Sequence, residues 1–246
     1  MLFLSDLDKT LIFSYKRLSD GICVEEKDGK RLSYMTESSA LLFGDIVKLT
    51  RFIPVTTRSI EQYKRIRFPN GFSPEYAVCD NGGNLLVNGE PDKEWRSAVQ
   101  KHIDLCTEEF ELCRAFLEKC PEVYFEIRFV DDTFLFTKAH NSDEVISRMR
   151  EMKLRNVSLF TNGDKLYAVP SAIDKGLAVK MLRERMGGRI IAAGDSLFDR
   201  QMLINADIAV IKGDELERGL NINEFSEEGD DPDFTLKTVM DFLSGQ

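Results

Sequence analysis

No run of apolar residues in this chain of 246 is long enough to cross a bilayer, which takes about 20. No Lys/Arg-rich run occurs either, and 33 basic against 42 acidic residues leave a formal net charge of −9. That balance argues against binding to a nucleic-acid backbone, which asks for a basic patch or stripe. Histidine is scarce: His102 and His140 are isolated and need no functional role. Five cysteines, an odd number, point to a reducing compartment rather than a disulfide framework. The chain start lacks a basic leading region, and Asp6 and Asp8 interrupt its apolar stretch, so no signal peptide is expected and the cytoplasm is the expected location. What is present, 43% hydrophobic and 30% charged, suits a soluble globular protein with one large domain or a core domain and a modest insert.

The most informative segment is Ser5-Asp6-Leu7-Asp8-Lys9-Thr10, directly after the apolar start Met1–Leu4. Two carboxylates at the end of a buried strand are costly unless a metal ion or a lysine compensates them. Further along, Gly21–Met35 reads as a β-hairpin turning at Asp28-Gly29. A helix follows from Thr36 to about Thr50, then a buried strand, Phe52–Val55, with Thr56-Thr57-Arg58 at its end. A short helix, Ile60–Ile66, and a strand, Tyr76–Cys79, lead to the turn Asp80-Asn81-Gly82-Gly83.

The middle third changes character. Val99, Ile103, Cys106, Phe110, Cys113, Leu117 and Cys120 recur at steps of four and three, one apolar stripe of a long helix over Glu94–Lys119. Steps of seven would hold the three cysteines about 10 Å apart along that helix, so they are core residues rather than metal ligands. Strands at Val123–Val130 and Thr133–Lys138, a helix near Ser142–Met152, and strands at Val157–Thr161 and Lys165–Val169 complete a helix–strand–strand pattern that occurs twice. The last third returns to α/β alternation: a helix over Asp174–Met186, strands Arg189–Ala193 and Ile208–Ile211, a loose acidic loop at Gly229–Asp233 and a terminal helix over Phe234–Leu243. The expected fold is therefore α/β, with two flanking segments (1–83 and 170–246) sharing one parallel sheet and an inserted α+β unit (84–169) lying over it.

Ligands of open parallel sheets bind at the carboxyl ends of the strands. Asp6 and Asp8, Thr56, Lys175 and Asp195 all fall at such ends or in the adjoining turns. Carboxylates brought close together suit Mg²⁺, one of them can be a nucleophile and another an acid and base, and a lysine with a hydroxyl can hold phosphoryl oxygens. The set outlines a phosphoryl-transfer site. Asp199, four residues after Asp195, suits either the metal or a helix start, where its charge meets the dipole favourably.

Asp6-Leu-Asp8-Lys-Thr10, Pro54-Val55-Thr56-Thr57-Arg58, Asp174-Lys175-Gly176 and Gly194-Asp195-Ser196-Leu-Phe-Asp199 resemble, in order, the four motifs of the haloacid dehalogenase (HAD) superfamily. The insert lies between the second and third motifs, as in the type-IIB capped phosphatases of the Cof-type and sucrose-phosphate or trehalose-phosphate phosphatase-like groups. The resemblance implies a Rossmann-like three-layer core with an α+β cap. It implies Asp6 as nucleophile, Asp8 as acid and then base, Thr56 and Lys175 as phosphoryl binders, and Mg²⁺ held by Asp6, the Asp8 carbonyl and Asp195, with Asp199 assisting. Thr57, Asn81 and Ser196, beside these motifs, are candidate substrate contacts.

The insert should hold substrate recognition. Val123–Val130 alternates strictly, with Tyr124, Glu126 and Arg128 on its polar face. Glu126 and Arg128 stand either as contacts to the non-reacting part of the substrate or as an exposed ion-pair surface; Asn162 and Lys165 are weaker candidates. The expected activity is a Mg²⁺-dependent phosphatase for a small phosphorylated metabolite, with a sugar phosphate leading, acting through an aspartyl-phosphate. A phosphomutase or phosphotransferase, or a non-catalytic ligand-binding module, is the alternative. No nucleic-acid or membrane partner is expected, and the protein should be a monomer or a homodimer.

Overall fold

Four apolar segments pair in parallel in the spatial order Ile208–Ile211, Ile190–Gly194, Leu2–Ser5, Arg51–Pro54. All but Arg51 are buried, so their sequences read as continuous apolar runs, as strands covered on both faces do. In the computed structural model, which describes residues 1–212 and 231–245, this sheet belongs to the first of two units, Met1–Asp92 with Lys175–Gln246. Lys93–Asp174 form the second. Positions 213–230, with Gly229 and Asp230 of the expected acidic loop, lie outside the described residues. No described helix is long and apolar enough to cross a membrane.

Helix Glu37–Leu49, capped by the Thr36 side chain on the Ser39 amide, brings Phe43 and Ile46 onto the sheet beside Phe3 and Phe52. Helix Phe234–Ser244 adds Leu236 and Val239 to the same cluster. Residues of opposite parity on the strands, Leu4, Ile53, Ala192 and Ala209, are equally buried. Helix Lys175–Met186 contributes buried Ala178, Val179 and Leu182 and packs on helix Arg200–Ile204. The hairpin Ile22–Lys27 with Lys30–Met35 forms as expected and gains a third strand, Phe13–Ser14. The short helix expected over Ile60–Ile66 is a single turn, Ile60–Tyr63.

Asn84–Val87 pairs with Tyr76–Cys79 on one side and Glu90–Pro91 on the other, and all three stay with the first unit, so the division falls after Asp92 and after Asp174 rather than after Gly83 and Val169. In the second unit, strands Val157–Asn162, Lys165–Pro170, Phe134–Lys138 and Arg128–Val130 form one antiparallel sheet in that order.

Two expectations for this unit need correction. The helix over Glu94–Lys119 is two helices, Lys93–Asp104 and Thr107–Leu117. The Thr107 hydroxyl takes the Asp104 carbonyl and the Cys106 amide closes a tight turn on Ile103, so local bonds outcompete the helical ladder there. The stripe Val99, Ile103, Cys106, Phe110, Cys113, Leu117 and Cys120 is nevertheless buried throughout, because the turn keeps the same face inward. The strand expected over Val123–Val130 is regular only at Arg128–Val130. Between the isolated Val123–Ala139 bridge and Arg128, the Thr137 hydroxyl donates to the Phe125 carbonyl, and side-chain bonding replaces part of the ladder.

Candidate active site

The order of the parallel sheet reverses at Leu2–Ser5, whose chain-order successor lies on one side while Ile190–Gly194 lies on the other. Such a switch opens a crevice at the carboxyl ends of the strands. Asp6 follows Leu2–Ser5 directly, and its amide donates to the Ala193 carbonyl at 2.9 Å. Asp195 follows Ile190–Gly194 directly, and Thr56 lies just past Arg51–Pro54.

Lys175 begins its helix and is 1% exposed. Its Nζ donates to Asp6 Oδ1 at 2.6 Å and to Asp199 Oδ1 at 2.5 Å. Two glycines permit this approach. A Cβ at Gly176 would stand 2.6 Å from the Gln201 Cβ, so only glycine lets the Lys175 helix lie this close to the Arg200–Ile204 segment. A Cβ at Gly194 would stand 2.3 Å from the Asp199 Cβ, so only glycine leaves room for the Asp199 side chain beneath the strand end.

Asp199 is fully buried, and its Oδ2 accepts from the Asp195 amide, the Ser196 amide and the Ser196 hydroxyl at 3.1, 2.9 and 2.8 Å. The carboxylate thereby fixes the turn that presents Asp195. Ser196, expected as a substrate contact, donates both its amide and its hydroxyl to this carboxylate. The Thr10 hydroxyl lies 3.4 Å from Asp6 Oδ2 and 3.2 Å from Asp195 Oδ1, tying the first motif to the fourth. Thr56 is fully buried with its Oγ1 accepting from the Arg58 amide at 3.2 Å, whereas Thr57 is half-buried. Asn81 is buried in the left-handed conformation, φ 59°, with its amide donating to the Thr56 carbonyl. Lys180, the other lysine of this helix, is exposed.

Asp6, Asp195 and Asp199 each offer an oxygen within 4.8 Å of the others. Burial pushes the Asp6 carboxyl well above the usual carboxylate range; Lys175 opposes this, while Asp199, Asp195 and Asp8 add to it. Burial and the neighbouring Asp199 push Asp195 up to about 6, against the pull of Lys9 and Lys175. Burial would lower the Lys175 ammonium, but Asp199 and Asp6 hold it above the usual lysine range. Three crowded carboxylates thus share one buried ammonium, and the local charge is under-compensated. All the donors are hard oxygens, which suits Mg²⁺. Asp199 already receives four donors, so Asp6 and Asp195 retain the open ligand positions.

Asp8 sits apart from this cluster. Its half-exposed carboxylate takes Arg58 Nε on Oδ2 and an Arg58 terminal nitrogen on Oδ1, both at 2.7 Å. Arg58 also reaches Glu25, a buried carboxylate in the hairpin that sequence reasoning did not single out. In the second unit, Glu126 and Arg128 pair with one another, and the Arg128 guanidinium lies 4.8 Å from the centre of the Phe125 ring. Asn162 is exposed at the end of its strand, opposite Lys165.

A family model for sucrose-6F-phosphate phosphohydrolase matches residues 1–233. The chain belongs to this family. The sucrose-phosphatase of Synechocystis, solved with sucrose and phosphate, shares the fold with a TM-score of 0.68 at 15% identity, over 98% of this chain and 97% of that one. A HAD-superfamily phosphatase from Bacteroides thetaiotaomicron superposes with a TM-score of 0.61 at 15% identity, over 98% and 94%. The C-terminal domain of C. albicans trehalose-6-phosphate phosphatase gives 0.58 at 14%, over 99% and 91%. A comparison with curated protein sequences finds no match. The protein is thus a phosphohydrolase, a phosphatase of HAD fold.

Proposed function

We propose that this phosphohydrolase hydrolyses a sugar phosphate with Mg²⁺ and through an aspartyl-phosphate on Asp6. The observation that carries the reading is the buried Asp6–Lys175–Asp199 bridge with Asp195 beside it: one carboxylate oriented by an ammonium and a hydroxyl, in a cluster short of positive charge. The family supports the sugar phosphate as the substrate class, since its model is described by sucrose 6F-phosphate and a neighbour of the same fold was solved with sucrose and phosphate.

Asp6 attacks phosphorus, the ester P–O bond breaks, and the leaving sugar oxygen takes its proton from Asp8. A water then gives a proton to Asp8 and attacks the phosphorus, releasing inorganic phosphate and regenerating the Asp6 carboxylate. Lys175 orients Asp6 and, with Thr56, holds phosphoryl oxygens as charge redistributes. Asp6, Asp195 and the Asp8 carbonyl would hold Mg²⁺, with Asp199 anchoring the turn; bound there, the ion supplies charge neutralisation to the phosphoryl oxygens.

The test is phosphate release from a panel of phosphorylated sugars, sugar acids, nucleotides and cofactors, with Mg²⁺ and with chelator. Equal amounts of inorganic phosphate and free sugar, dependent on Mg²⁺, are expected. An isomerised sugar phosphate without phosphate release would replace hydrolysis by phosphoryl transfer.

A further inference from the structure

Among the described residues of the first unit, the reaction as proposed leaves two buried acids unused, Asp80 and Glu25. Glu25 lies in the hairpin strand Ile22–Lys27 and is 3% exposed. Its Oε1 takes Arg65 Nε at 3.1 Å, and its Oε2 takes the Ser33 hydroxyl at 2.7 Å and an Arg58 terminal nitrogen at 3.0 Å. A buried carboxylate with this many donors is a rigid anchor, because each bond restrains a different direction. Arg58 is spent entirely on two acids: one terminal nitrogen goes to Glu25, and Nε with the other terminal nitrogen goes to the two oxygens of Asp8. The Arg58 side chain is only 12% exposed, whereas the Asp8 side chain is 51% exposed, so the buried partner of the pair is the guanidinium. The plane of the guanidinium therefore decides where the Asp8 carboxylate points, and Glu25 decides the plane of the guanidinium.

We propose that Glu25 is a positioning residue for the acid/base: the hairpin, through Glu25 and Arg58, sets the orientation of Asp8. The proposal rests on the reading of Asp8 as the group that moves protons. A misplaced proton-transfer group slows the bond-making steps and leaves phosphate binding alone, since Lys175 and Thr56 are not part of the chain Glu25–Arg58–Asp8.

The experiment is a double-mutant cycle on the sugar phosphate with the highest turnover, using Glu25→Gln, Arg58→Ala and their combination. Glu25→Gln is expected to lower kcat about tenfold with KM within about twofold, and Arg58→Ala to lower kcat about 100-fold. The double variant should be no slower than Arg58→Ala alone. Added guanidinium should rescue Arg58→Ala, by bridging Glu25 and Asp8, and should fail to rescue the double variant. A wild-type kcat in Glu25→Gln, or losses that multiply in the double variant, overturns the proposal. If Glu25→Gln does not fold, Ser33→Ala, which removes a single donor from Glu25, takes its place in the same cycle: a smaller loss of kcat that does not add to that of Arg58→Ala is expected, and a wild-type kcat or multiplying losses again overturn the proposal. Asp8→Asn separates the underlying reading: wild-type kcat there removes Asp8 from the chemistry whatever Glu25 does, whereas a dead Asp8→Asn beside a normal Glu25→Gln removes only Glu25.

Discussion

The two units handle charge in opposite ways. In the first, Lys175, Asp6, Asp199 and Glu25 are each at most 5% exposed and bond one another or nearby arginines. In the second, the ion pairs lie at the surface: Arg128 with Glu126, Lys138 with Asp164, Arg148 with Glu122. Its interior is apolar, built from Trp95, Val99, Phe110, Leu135 and Met149. Burying a charge costs several kcal/mol, and an apolar side chain of similar volume is often as stable or better, so buried charge is weak evidence for stability and better evidence for chemistry. Exposed pairs cost little and contribute little, so they carry no such message. The contrast separates the unit that holds the proposed reacting groups from the one whose polar residues need kinetics to be interpreted.

The sharpest break of that contrast is Asp6→Asn. It should reduce Mg²⁺-dependent phosphate release by at least about 10³-fold while circular dichroism shows the fold kept; near-normal turnover would sink the nucleophile. Next is Lys175→Met, which leaves Asp6 and Asp199 buried without their cation. A stability loss of about 3–5 kcal/mol in urea unfolding is expected, together with loss of activity. A variant as stable as wild type would show that the ammonium is not compensating the acids.

The third test uses pH. Because folding raises the Asp195 carboxyl from 3.8 to about 6, its favourable contribution is complete below its unfolded value and is lost as pH rises through about 6. Asp6 shifts in the same direction. Metal-free protein should therefore lose stability as the pH rises from the unfolded value of 3.8 through about 6, and Mg²⁺ should raise Tm more at about pH 7 than at about pH 5. Thermal unfolding with and without chelator measures this; equal Mg²⁺ effects at both pH values would disconnect these acids from the ion. The smallest effect belongs to the second unit. Arg128→Ala should change stability by no more than about 0.5 kcal/mol, and its kcat/KM on the true substrate decides between substrate contact and surface ion pair: an unchanged value removes Arg128 from the site.

Motif-level features were readable because each depends on neighbours in the chain. Met1–Leu4 announces a buried strand and Asp28-Gly29 a hairpin turn, whereas the close approach that requires Gly176 and Gly194 shows only in the folded chain. The stripe from Val99 to Cys120 correctly marked a buried face, yet the break at Leu105-Cys106 was invisible, since a tight turn that preserves the face leaves the spacing unchanged. From Val123 to Ile127 the apolar side chains stay more buried than the polar ones although the ladder is incomplete, whereas Phe129, in the regular strand, is exposed. Glu25 was missed for a different reason. Register shifts on either side of it form a bulge, and Val24 and Glu25 are buried in succession, which a period of two does not anticipate.

Residue types and their spacing sufficed for the α/β class, the inserted α+β unit and the identity of the acids and lysine that meet at the strand ends. Pairings between distant positions needed the folded chain: Lys175 reaches Asp6 across 169 residues, and Thr10 reaches Asp195 across 185. Whether Asp199 is a free ligand or an anchor, and which partner occupies Asp8, depends on which donors the fold brings within about 3 Å, and no local rule of propensity or periodicity contains that distance.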